Sequence, residues 1–188
     1  MPQITIYKEL KEIFRSANHH FVSNNKSLLE SKVSERTLSG SLMLCLQQAL
    51  ENTRYSDYYA DVEYNRNING KLKTIVKKNN GNKFKIITIN CDLIVHSRGE
   101  ISSQDNLIAI EMKKSYRPEA AKKADKERLM CLTKDSFDDV WSFDGHTLPE
   151  HVCRYVLGIY YEINYNKRAI ILEYYYKGKK KSSDIISF

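Results

Sequence analysis

ITINCDLIVHSRGEISSQDNLIAIEMKKS, residues 87–115, is the stretch whose reading decides the fold. Two β-branched runs, 87–96 and 107–113, flank a polar turn region at 98–106. Asp92 sits beside the first run, and Glu111 and Lys113 lie in the second, with Glu111 19 positions after Asp92. Alternate residues of a strand share a face, so Glu111 and Lys113 point one way and Met112 and Lys114 the other. Two carboxylates and a lysine at the end of a buried hairpin are costly to desolvate without a purpose. They suit a hard divalent cation such as magnesium, which prefers carboxylate oxygens and retains waters. A lysine beside it can orient water or offset developing negative charge.

Outward from this stretch, residues 4–16 read as a short helix and residues 31–52 as a longer one. Val33, Leu38, Leu42, Cys45, Leu46 and Ala49 form its apolar stripe. Ser34 is a candidate cap, and Glu35 follows it at once rather than three residues later, so there is no capping box. Residues 58–66 alternate as a strand, and NINGKLKTIVKKNNGN (67–82) is a polar connection with a short strand around 72–76. Residues 83–89 and 92–96 read as one long strand or two bent pieces. Pro118 suits the first position of a helix running to about residue 132. An irregular connection at 134–150 leads to strands at 154–163 and 168–176 joined by a hairpin, and KGKKKSSD opens a basic, flexible-looking tail at 177–188. This order predicts an α/β protein: a single domain over 1–188, core about 28–176, with a central mixed β-sheet flanked by helices and the first three strands as a meander.

At 188 residues the chain is long enough to bury a real core. A formal charge of +7 favours an anionic partner, nucleic acid first. No apolar run approaches the roughly 18 residues of a membrane span, so no membrane association is expected, and the amphipathic start lacks a signal-peptide core. Cys45, Cys91, Cys131 and Cys153 form no C-x-x-C pair and fit reduced thiols in a cytoplasm.

Asp92 followed by Glu111-x-Lys113, after a helix bearing Glu35, resembles the PD-(D/E)XK superfamily of restriction-endonuclease-like nucleases. Cys91 stands where a proline often precedes the aspartate, a backbone feature rather than a ligand. The blocks DVEYNRN (61–67), DLIVHSRG (92–99), NLIAIEMKK (106–114) and DKERLMCLT (125–133) occur in the order of a bacterial branch of these proteins, over roughly residues 28–163. The resemblance implies an α-β-β-β-α-β core and hydrolysis of phosphodiester bonds in nucleic acid, DNA rather than RNA, dependent on magnesium or manganese. It implies catalytic roles for Asp92, Glu111, Lys113 and Glu35, with Asp92, Glu111 and Glu35 as metal ligands and Lys113 positioning water. A homodimer would suit double-strand cutting. The alternative is an inactive nucleic-acid-binding or assembly module of the same fold, since fold does not fix function.

Arg98 shares a strand face with Asp92 and is a candidate phosphate contact, as are Arg66, Lys77 and Lys78 around the polar connection and Lys114 beside the site. Glu30 competes with Glu35 as the helix glutamate. Asp61 and Glu63, two apart, would extend the cluster only if they pointed inward. His96 reads as a structural histidine, and Asp125 with Arg128 as a helical ion pair. His146, His151 and Cys153 lack the second close pair a zinc site needs.

Overall fold

Tyr7, Leu10, Phe14, Ala17 and Phe21 recur three and four residues apart and bury one stripe of α1 (Gln3–Asn24). The expected helix ended at residue 16; Ala17, Asn18 and Phe21 carry the buried stripe on through the polar-looking SANHH segment. A one-turn helix, α2 (Lys26–Glu30), leads to α3 (Glu35–Glu51), which buries Leu38, Ser39, Leu42, Leu46 and Leu50. Ser34 caps α3 as expected, its Oγ accepting the Thr37 N–H at 3.1 Å. The computed structural model describes residues 2–65, 90–135 and 154–188, with the backbone alone of 74–78 and 84–88.

The strands are β1 (Tyr59–Val62), β2 (Thr74–Lys78), β3 (Phe84–Thr88), β4 (Leu93–His96), β5 (Asn106–Lys114), β6 (Leu157–Asn164), β7 (Ala169–Tyr176) and β8 (Lys179–Ser187). Six form one mixed sheet in the order β1-β4-β5-β6-β7-β8, and β2 and β3 pair separately as a hairpin. All pairings are antiparallel except β5 with β6, which α4 (Glu119–Leu132) connects. With the hairpin set aside, the order is α3-β1-β4-β5-α4-β6, the α-β-β-β-α-β order expected from the sequence. The 83–96 region is thus two strands in two different sheets, separated at Asn90–Asp92.

β5 lies centrally and is buried along nearly its whole length. On one face the sheet packs against α1 and α3 through a core that includes Leu10, Phe14, Leu42, Ile110, Met112 and Tyr161. On the other, Ile94, Ala109, Tyr160 and Tyr175 meet Leu129 and Leu132 of α4. Gly158 of β6 makes this approach possible, because a Cβ there would sit 2.9 Å from the Thr133 methyl.

Residues 177–188 depart from the flexible tail expected. They form edge strand β8, paired with β7 from Ala169↔Ser187 to Tyr176↔Lys179. Lysines 179–181 masked a period-2 pattern in which Ser182, Asp184 and Ile186 alternate with the exposed Ser183, Ile185 and Ser187. Lys11 Nζ donates to Ser182 Oγ at 3.0 Å and Arg15 Nη2 to Asp184 Oδ2 at 2.7 Å, tying β8 to α1. Among the described residues no helix is long and apolar enough to cross a membrane.

Candidate active site

The β4–β5 register builds the site. Leu93 pairs with Ile110, so the next step along both strands sets Asp92 beside Glu111, on one face, with Lys113 two residues on. Asp92 stands just before β4, and its Oδ2 accepts the Met112 N–H at 2.7 Å. None of the described hydrogen bonds engages Asp92 Oδ1, and a quarter of the side chain faces solvent. Met112 points to the other face, where Ser39 Oγ donates to its sulfur at 3.6 Å.

α4 closes the site from above. Its buried side runs Lys122, Asp125, Leu129, Leu132: apolar at its end, charged where it passes over the site. Arg128 grips Glu111, Nε to Oε1 at 2.6 Å and Nη2 to Oε2 at 3.3 Å, and also donates to Asp125 Oδ1. Lys113 Nζ lies 2.9 Å from Asp125 Oδ2, an ion pair outside hydrogen-bond alignment, and 3.8 Å from Asp92 Oδ2. Three carboxylates therefore share two cations within one partly closed space.

Burial pushes the Asp92 carboxyl above its ordinary range, and the charges of Asp125 and Glu35 add to this against Lys113 and the Met112 N–H. Glu111 is only 1 % exposed, and burial pushes it up to about 7 although Arg128 opposes the shift. Burial alone would lower the Lys113 ammonium; Asp92 and Asp125 hold it above its ordinary value, so it stays charged at neutral pH. Arg128 likewise stays protonated, with Glu111 and Asp125 outweighing its burial.

Glu35 is held by donors from the turn after β5. At the first turn of α3 its Oε1 accepts the Lys114 N–H at 2.9 Å and Arg117 Nε at 3.1 Å. The carboxylate clamps the turn after β5 and adds its charge to the field at Asp92. Glu30 pairs instead with Arg168 at 2.8 Å, away from this cluster. Among the described residues no three His, Cys, Asp or Glu side chains are gathered as a ready-made metal set.

The expected nucleic-acid contacts fare unevenly. Lys114 is buried, 5 % exposed, and its Nζ donates to the Lys32 carbonyl at 2.9 Å. Arg98 forms a fork with Asp61, at 2.8 and 2.7 Å, and its guanidinium lies 4.2 Å from the Tyr59 ring centroid, so its donors are already directed at a carboxylate. His96, buried, also meets Asp61, at 3.1 Å. Glu63 turns out of β1 with a left-handed backbone and pairs with Arg36, so Asp61 and Glu63 do not extend the cluster. Arg66, the side chains of Lys77 and Lys78, and His146, His151 and Cys153 lie outside the described residues.

Asp125 and Arg128 are what the sequence reading undervalued. The signal was present for Asp125, which falls on the same 3–4 repeat as Leu129 and Leu132 and therefore on the buried face, with Arg128 one turn on at its border. Comparison of the chain with protein-family models, with curated proteins and with solved structures finds no match in any of the three.

Proposed function

We propose that this protein is a divalent-cation-dependent phosphodiesterase acting on nucleic acid, DNA rather than RNA. The observation that carries the reading is the convergence of Asp92, Glu111 and Asp125 with Lys113 and Arg128 in one partly buried space at the β4–β5 end. Buried carboxylates are held together at a cost that a further cation would offset. The donor set suits magnesium or manganese. Such ions need only one or two carboxylates and keep several waters, and Asp92 offers a partly exposed, unengaged Oδ1. Glu111 has lone-pair directions beyond the two that Arg128 occupies. When bound, the cation would supply Lewis acidity toward a phosphoryl oxygen and lower the pKa of water. Lys113, with three donors and no acceptor, orients the attacking water and offsets charge on the phosphoryl oxygens. Arg128 holds Glu111 in its rotamer, and Asp125 holds Lys113 over the site. The net charge of +7 supports an anionic substrate.

One observation favours a second reading, a non-catalytic module. Lys113 and Arg128 already neutralise much of the carboxylate cluster, as ion pairs standing in for a metal would. Cleavage separates the two. Supercoiled, linear and single-stranded DNA, and RNA, incubated with magnesium or manganese should yield new ends. Lys113→Ala should keep metal and nucleic-acid binding while its single-turnover rate falls roughly a hundredfold, the scale of one lost transition-state donor. Equal rates would remove Lys113 from the mechanism, and no cleavage of any substrate by the wild type would favour the module.

A further inference from the structure

Tyr116 is 67 % exposed, one of few large apolar side chains left open to solvent among the described residues. It is also firmly held. It sits inside the tight turn from Lys114 to Arg117, closed by Arg117 N–H to Lys114 O at 3.0 Å. Ser115 N–H donates to the Ile163 carbonyl at 2.9 Å, pinning the turn to β6. Glu35 grips the turn from α3, bonding both the Lys114 N–H and Arg117 Nε. Lys114 Nζ and the Arg117 guanidinium each lie 5.9 Å from the ring centroid. Lys32, exposed on the neighbouring loop, sits 5.7 Å from the Tyr165 ring, which the same Lys114 ammonium also faces at 5.9 Å. An aromatic ring on a fixed turn, flanked by cations and three residues beyond Lys113, has the makings of a stacking platform beside a phosphate path.

We infer that Tyr116 stacks an unpaired nucleobase, with Arg117 and Lys32 facing the adjoining phosphates, so that the preferred substrate is single-stranded or frayed nucleic acid. A duplex keeps its bases stacked on one another and cannot present a face to this ring without local opening. The inference rests on the proposed nucleic-acid phosphodiesterase reading and gives it a substrate class. The exposed ring contributes little to the core, so its replacement leaves the fold intact.

The test is direct binding with chelator present, which prevents metal-dependent cleavage. The probes are a short oligothymidylate carrying one 2-aminopurine, whose fluorescence is quenched by stacking, and the same strand annealed to its complement. Wild type and Tyr116→Phe should bind the single strand alike and quench the probe. Tyr116→Ala should abolish the quenching and weaken single-strand binding roughly tenfold or more, with duplex binding little changed. Unaltered quenching and affinity in Tyr116→Ala, an equal loss on duplex, or no binding of either probe by wild type would each overturn the inference. Cleavage of single-stranded and plasmid DNA in magnesium by the same preparations keeps the two ideas apart. Cleavage with Tyr116-independent binding sinks the stacking site alone. Tyr116-dependent binding without cleavage leaves the stacking site and sinks the nuclease.

Discussion

Replacing Glu111 by glutamine isolates the electrostatic cost of this site. Glu111 is buried, and its carboxyl is pushed from an ordinary 4.5 up to about 7. Across that interval the folded protein holds a proton that the unfolded chain has released, so the group's contribution is fully present below about pH 4.5 and is lost as pH rises through about 7. A difference of about 2.5 units corresponds to about 3 kcal/mol, most of it falling between about pH 5 and about pH 8. Glutamine has nearly the same shape, keeps a carbonyl to accept Arg128 Nε, and does not titrate. The stability of wild type minus that of Glu111→Gln should therefore fall by about 2.5 kcal/mol from about pH 5 to about pH 8. With a urea m-value of about 2 kcal/mol/M, the two unfolding midpoints should move relative to each other by roughly 1 M. Urea titrations followed by circular dichroism, with chelator present, read this directly. A constant difference across the range would show that Arg128 fully compensates the burial and that the site stores no such cost. Magnesium or manganese added at high pH should reduce the gap, because a cation that binds the charged carboxylate stabilises only the wild type.

Three other substitutions test separate parts of the structure. Asp92→Asn should lower magnesium affinity in calorimetric titration by at least the roughly tenfold that even a supporting residue's loss costs. Its metal-free melting temperature at about pH 8 should rise or hold, since a buried charge disappears while an acceptor for the Met112 N–H remains; a sharp drop would contradict the raised carboxyl. Gly158→Ala should destabilise by about 1–3 kcal/mol, because the new methyl meets Thr133 at 2.9 Å and the Tyr175 Cβ at 3.1 Å, and an unchanged thermal melt would refute that packing. Lys114→Ala should cost about 1–3 kcal/mol through loss of its buried bond to the Lys32 carbonyl, while nucleic-acid affinity changes little. Loss of binding at unchanged stability would instead restore Lys114 as a phosphate contact.

The sheet was legible because β4 and β5 are written in β-branched residues and their periods agree with their burial. The same alternation placed Glu111 with Lys113 and set Met112 on the opposite face, which the structure bears out. β8 was hidden by composition: three lysines outweighed the alternation behind them. The partners of the charged groups were hidden for a different reason. Nothing local says that Arg98 meets Asp61, 37 residues away, or that the Lys114 amide meets Glu35, 79 residues away. The first depends on the pairing of β1 with β4, and the second on where the start of α3 meets the end of β5. Asp125 lies between these cases, since helical periodicity fixes its face while only the tertiary fold reveals that the face covers the site.

The ties between α1 and β8 bear on how this chain acquires its structure. Lys11 bonds Ser182 across 171 positions, and Arg15 bonds Asp184 across 169. A ribosome delivers α1 long before β6, β7 and β8 exist to cover Leu10 and Phe14. Until then, the pairing of α1 with α3 is the shelter available to that stripe, and the sheet completes late. Contacts so distant in sequence carry a large loop-closure entropy and slow the final step. A chain lacking β8 would lose these ties to α1 and leave the edge of β7 open to pairing with other chains.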